Sequence, residues 1–335
     1  MRSGRALLDV VASESGPLFE LAPELEIDSD VARRVIAEFI RGQLRQAGFE
    51  RALLGLSGGI DSAVVAFLIA EAISAERLLC VLLPYATSSP ESIADATEVV
   101  GQLGCASVTI PITPMVDAYF GRPSPGSGSG DTSAGTDTSA GSGGTPGRAL
   151  GATPGAAADG PTASALRRGN FMARTRMAVL YDRSAVWGGL VVGTGNKTES
   201  LIGYTTHFGD DASAFNPIGD LYKSQVRQLA VALAVPEPII RKAPSADLWP
   251  GQTDEAEARF SYPELDRLLF WMVDRRRSPE DLVELGFDRT TVERVDRMIA
   301  GAEFKRQVPT IAKLGPRTPG VDYLYPRRRP GSKRS

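Results

Sequence analysis

The stretch Gly55, Leu56, Ser57, Gly58, Gly59, Ile60, Asp61, Ser62 brings together residue types that can hold a polyphosphate. It follows the short apolar run ALLGLS (52–57) and opens a helix-like run. At such a junction an α/β sheet presents backbone N–H groups and a helix N-terminus to an anion. Gly58 and Gly59 can take φ > 0 and let the main chain come close to a ligand. Ser57 and Ser62 add hydroxyl donors. Asp61 is the odd member, since a bare carboxylate repels phosphate unless a cation lies between them. That implies Mg²⁺, a hard ion that uses carboxylate and phosphate oxygens together. Two glycines alone would serve as well in a plain strand-to-helix turn. The added spacing of Ser57, Asp61 and Ser62 is what favours a phosphate loop. It is not a Walker A motif: GTGNKTE (193–199) comes nearest, but Asn196 separates its glycine from Lys197.

Elements that would position this loop can be read on both sides of it. Val31, Val35, Ile36, Phe39, Ile40 and Leu44 recur at helical spacing between Asp28 and Gly48. After the loop come a helix over Ser62 to Ala75 and a buried strand over Leu78 to Leu83. A helix over Pro90 to Leu103 and a strand over Ala106 to Ile110 follow. Strand and helix alternate, so the fold class is α/β with a parallel sheet. Residues 121–165, including GRPSPGSGSGDTSAGTDTSAGSGGTPG, hold few large apolar side chains and cannot offset the entropy of ordering. They are expected to be a disordered insertion within one domain. A helix over Asn170 to Trp187 and the strand GGLVVGTG (188–195) resume the sheet. Further helices are expected at Asp220–Ala234, Tyr262–Arg276 and Arg289–Ala302. The segment 315–335 reads as a flexible basic tail.

The bulk numbers exclude several classes. With 42% hydrophobic and 23% charged residues, the 335-residue chain can bury a substantial core. A formal net charge of −3 gives no general footprint for nucleic acid. Arg327, Arg328, Arg329, Lys333 and Arg334 form a local basic run, best taken as a solvated end. No apolar run suits a signal peptide or approaches a membrane span of ~20 residues, so the cytoplasm is the expected location. The two cysteines, Cys80 and Cys105, make neither a disulfide framework nor a metal pattern.

SGGIDS resembles the signature of the N-type ATP pyrophosphatases, which split ATP between the α and β phosphates. Four further segments resemble the ammonia-dependent NAD synthetase family. They are NFMARTRM (170–177), VVGTGNKTESLIGYTTHFGDD (191–211), NPIGDLYKSQVRQLA (216–230) and KAPSADLWPGQTDEAEARFSYPELD (242–266). The likeness runs from about Val31 to Pro309, omitting 121–165. It implies a Rossmann-like, adenine nucleotide alpha-hydrolase-like sheet flanked by helices, with additional C-terminal helices. It implies that Thr194, Lys223 and Ser245 contact ATP, and that Glu199 joins Asp61 on Mg²⁺. Arg174, His207 and Lys305 would face deamido-NAD. It also implies a homodimer and an acyl-adenylate that ammonia converts to NAD. A fused glutaminase would need well over ~100 residues, and only 56 precede Ser57. With Cys80 in an apolar run, free ammonia is the expected donor. Three positions depart from the family's pattern, all on the dinucleotide side: His207 in place of lysine, Ala214 of aspartate and Phe304 of histidine. Two alternatives stay open. One is a ligase of the same fold acting on another carboxylate or carbonyl, and the other a non-catalytic nucleotide-binding protein.

Overall fold

In the computed structural model, residue 19 and residues 21–120, 161–243 and 260–322 are described. Four strands within them form one parallel sheet: β1 (Arg51–Gly55), β2 (Leu78–Leu82), β3 (Ala106–Thr109) and β4 (Gly189–Val191), in the order β3-β2-β1-β4. Leu53 of β1 pairs with Leu79 on one side and Val191 on the other. From β1 the chain steps outward through β2 and β3, then crosses back to place β4 on the opposite flank. The gap between the carboxyl ends of β1 and β4 is therefore the switch point where open α/β sheets bind ligands.

The sheet is covered on both faces, as parallel sheets require. Ala52 and Leu54 pack into the core formed with α1 (Ser29–Ala47), α2 (Ile60–Ile73) and α7 (Lys223–Ala232). Leu53 points the other way, toward α4 (Thr113–Phe120) and α5 (Pro161–Trp187), where Val116 and Met172 are buried beside it. Helix α3 (Pro90–Leu103) completes the crossover from β2 to β3. Ten of the fourteen residues of α2 are buried, so it is apolar nearly all round and lacks an outward face.

A second core gathers the C-terminal helices. Here α6 (Lys197–Ile202) and α9 (Tyr262–Leu269) pack with α10 (Pro279–Glu284) and α11 (Arg289–Gly301) around Leu265, Leu268, Leu282 and Val295. A short helix α8 (Glu237–Arg241) follows α7.

Some boundaries differ from the sequence-based expectation. Helix α5 starts at Pro161, so residues 161–165 belong to a helix and not to the insertion. The small residues there hide a helix-competent run that begins with proline, which suits a first turn. Residues 121–160 lie outside the described residues, as do 323–335 of the expected tail. Strand β4 stops at Val191. Beyond it Val192 still donates its N–H to Leu53 O at 2.9 Å and bridges to Phe215 in parallel, and the chain then leaves the sheet at its carboxyl edge. The expected helix from Tyr262 holds α-geometry to Leu269, then makes a π turn over Phe270–Asp274. Among the described residues no helix is long and apolar enough to cross a membrane.

Candidate active site

All eight residues from Gly55 to Ser62 line one cavity of about 670 Å³ at the switch point. The loop is braced from within. The Ser62 hydroxyl, itself buried, donates to Gly59 O at 3.0 Å and accepts the Ser57 N–H at 3.2 Å. Ser57 Oγ accepts the Gly59 N–H at 3.2 Å. Ser62 thus shapes the loop, and Ser57 is the more exposed hydroxyl. No side chain caps α2, which leaves its first-turn N–H groups for an anion. Gly58 sits at φ 79°, and a Cβ there would fall 2.1 Å from Ser92 O. Gly58→Ala is accordingly expected to lose about 2 kcal/mol of stability or more, from left-handed strain together with that close approach. Urea unfolding checks this, and a variant as stable as the parent would show that the loop does not need its tight approach to α3.

Asp61, Glu199 and Lys223 converge on the same cavity from three elements. Lys223 Nζ donates to Asp61 Oδ2 at 2.5 Å and to Glu199 Oε1 at 3.1 Å. The lysine side chain is 2% exposed and the carboxylates 17% and 16%. Asn196 Nδ2 holds the other oxygen of Asp61 at 3.0 Å. Asn196 also caps α6: its Oδ1 accepts the Glu199 N–H at 3.0 Å, and Glu199 Oε2 accepts the Asn196 N–H at 3.4 Å. Two carboxylates therefore face each other across a single ammonium group. Among the described residues no third His, Cys, Asp or Glu joins them to form a metal-binding group. A Mg²⁺ ion suits this donor set, since it takes one or two carboxylates and fills its shell with phosphate and water.

Thr194 lines the cavity just beyond β4. The chain there is fixed by Gly193 N–H to Phe215 O at 2.9 Å and by Asn216 Nδ2 to Gly195 O at 2.7 Å. Ala214 N–H donates to Val191 O at 2.9 Å, so this departure from the family pattern sits beside the sheet edge. Ser245 lies outside the described residues.

The far wall is the segment 203–211. Arg174, His207, Phe304 and Lys305 all line the cavity there. Arg174 Nε donates to His207 O at 3.2 Å, and Lys305 Nζ donates to Gly203 O and Thr205 O, both at 2.7 Å. Burial pushes the Lys305 pKa down, despite the nearby Asp210 and Asp211. His207 Nδ1 lies 3.0 Å from Asp211 Oδ2, with its ring 3.8 Å from that of Phe208 and 6.1 Å from that of Phe304. Arg174 Nε, His207 Nδ1 and Lys305 Nζ thus rest on protein groups and brace the wall.

Sequence reasoning gave no role to Asn196, although it carried a signal. Asn-Lys-Thr-Glu is an N-cap residue followed three positions later by glutamate, the pattern of a capping box.

A glycine-serine loop at the switch point of a parallel sheet, with two carboxylates opposite, is the arrangement of a nucleotide-dependent α/β enzyme. Sequence and structural relatives narrow that class. The family model described as NAD synthase matches residues 32–135 and 152–309, breaking inside the Gly/Ser-rich stretch. The NH(3)-dependent NAD(+) synthetase of Trichlorobacter lovleyi is 44% identical over 303 residues, covering 90% of this chain and 97% of that one. Among solved structures, NMN synthetase from Francisella tularensis has a TM-score of 0.66 at 27% identity, over 86% of this chain and 99% of that one. The NH3-dependent NAD synthetase from Campylobacter jejuni has a TM-score of 0.63 at 28% identity, over 86% and 100%. The chain belongs to the NAD synthase family.

Proposed function

We propose that this chain completes NAD biosynthesis by amidating deamido-NAD (nicotinic acid adenine dinucleotide) with free ammonia at the expense of ATP. The observation that supports this reading is the convergence of Asp61 and Glu199 on the Lys223 ammonium beside the glycine-serine loop. A nicotinate carboxylate oxygen attacks the α-phosphorus, and the bond to the β-phosphate oxygen breaks, releasing pyrophosphate. Ammonia then attacks the acyl carbon and loses a proton, and the acyl–oxygen bond breaks to release AMP. The chain supplies no covalent nucleophile. It holds two substrates in line and offers fixed charge where charge develops.

The loop N–H groups and Ser57 cup the departing pyrophosphate. Asp61 and Glu199 would hold Mg²⁺, which would supply neutralisation of phosphate charge. Lys223 would offer its ammonium to the phosphates, and Thr194 and Ser245 would contact ATP. Arg174, His207 and Lys305 form the wall against which the dinucleotide lies. Ammonia as donor agrees with the names of the relatives and with the cysteines: Cys80 and Cys105 are both buried, and neither lines the cavity. The chain works in the cytoplasm as a homodimer, and exposed Met115 and Tyr119 on α4 and Tyr181 on α5 leave apolar surface for a second copy.

Purified protein is expected to form NAD, AMP and pyrophosphate in equal amounts from deamido-NAD, ATP, Mg²⁺ and ammonium chloride. Glutamine in place of ammonium should give no product above background, and sedimentation should give twice the chain mass. A second acceptor is favoured by one observation, the likeness to the Francisella NMN synthetase combined with the changes at His207, Ala214 and Phe304. Nicotinic acid mononucleotide therefore belongs in the same assay. Preference for it over deamido-NAD would move the function to that substrate. AMP release with neither acid would discard both.

A further inference from the structure

Behind the carboxylate–ammonium cluster lies a buried acid that does not line the cavity. Asp266, on α9, is fully buried. Its Oδ1 accepts the Thr198 hydroxyl at 2.5 Å. Its Oδ2 accepts the Ser224 N–H at 2.7 Å and the Ser224 hydroxyl at 2.6 Å. Thr198 Oγ1 in turn accepts the Lys223 N–H at 3.0 Å. The first two N–H groups of α7 are thus satisfied by Thr198 and Asp266, which belong to other helices.

The sequence positions give this network its meaning. Thr198 immediately precedes Glu199, and Ser224 immediately follows Lys223. A carboxylate that grips Thr198 and Ser224 together therefore sets the distance between the starts of α6 and α7, and with it the spacing of Glu199 and Lys223. Burying a charge is expensive, and a well-packed apolar residue would hold two helices together at least as firmly. What the apolar residue lacks is direction: three donors converge on one carboxylate and leave little freedom to shift. Burial raises the Asp266 pKa, while these donors and Lys223 oppose that rise.

We propose that Asp266 is a positioning residue for the ATP–Mg²⁺ site, acting through Thr198 and Ser224 to fix Glu199 opposite Lys223. The proposal rests on Asp61 and Glu199 being the metal carboxylates, and is independent of which acid is amidated.

Asp266→Asn keeps the shape but turns one oxygen into a donor facing donors. Calorimetric titration with ATP in the presence of Mg²⁺ is expected to show a Kd about 10- to 100-fold weaker than wild type, the usual cost of an outer-shell change at a metal site. Without Mg²⁺ the loss should be clearly smaller, since Glu199 then has no metal to hold and the displacement of Lys223 alone acts on the phosphates. A folded variant with unchanged Mg²⁺–ATP affinity overturns the proposal. So does an equal loss with and without the metal, which is what a merely structural role gives. Should Asp266→Asn fail to fold, Thr198→Val decides by the same two titrations, because it removes one arm and leaves the carboxylate its Ser224 donors. Wild-type affinity indifferent to Mg²⁺ would sink the metal assignment and this proposal with it. A Mg²⁺-dependent wild type beside unaffected variants would sink the role of Asp266 alone.

Discussion

Asp61→Asn is expected to lower NAD formation about a thousandfold, the scale seen when a charged group that orders a transition-state cation or dipole is neutralised. The substitution keeps volume and leaves the helix start in place, so the loss reports charge. In the parent, Asp61 Oδ2 faces Lys223 and Oδ1 is held by Asn196. Asparagine removes half of the negative charge that Asp61 and Glu199 together offer a dication. One of its amide hydrogens also meets either the Lys223 ammonium or the Asn196 amide, donor against donor. A Mg²⁺ titration of turnover is the check. Weaker half-saturation together with a lower plateau is expected, because metal binding and alignment of the pyrophosphate both suffer. A plateau within tenfold of the parent would mean that the carboxylate at the helix start does not hold the metal.

How much of this was legible beforehand depends on sequence distance. The phosphate loop is local: strand, glycine turn and helix start lie within a dozen residues, so spacing alone exposes it. Strands β1 and β2 likewise appear as short apolar runs, since both lie inside a parallel sheet covered on its two faces, whereas β3 is an edge strand with largely exposed residues. The short helices α4, α8 and α10 span 8, 5 and 6 residues, too few turns for a 3.6-residue period to stand out. The Asp266 network joins residues 68 and 42 positions apart, which no local pattern reveals. Lys223 is an instructive difference. The resemblance implies a phosphate contact, and in the structure it lies buried against two carboxylates, because an ammonium in a low-dielectric site needs anionic partners. The cavity wall formed by residues 203–211 was the least legible part. Arg174 and Lys305 donate to backbone carbonyls of 203–207, and those carbonyls carry no side-chain signature in the sequence.

Lys223→Met separates the two jobs that this ammonium performs. Without nucleotide, its loss leaves Asp61 and Glu199 facing one another with no counter-charge, both largely shielded from water. Breaking a buried pair by deleting one partner costs about 3–5 kcal/mol, and the partial exposure of the carboxylates puts the expected loss near the lower end. Mg²⁺ should restore much of that loss, because a dication binding only the folded state stabilises it by mass action. The parent should gain less from the same Mg²⁺ concentration, since its own ammonium competes for the carboxylates. Turnover is a separate matter: even at saturating Mg²⁺ it should stay about a hundredfold below the parent, because no ammonium remains to meet the developing phosphate charge. Thermal unfolding with and without Mg²⁺, alongside turnover, reads the two effects apart. If Mg²⁺ fails to stabilise the methionine variant more than the parent, then the carboxylates that grip Lys223 are not the ones that grip the metal.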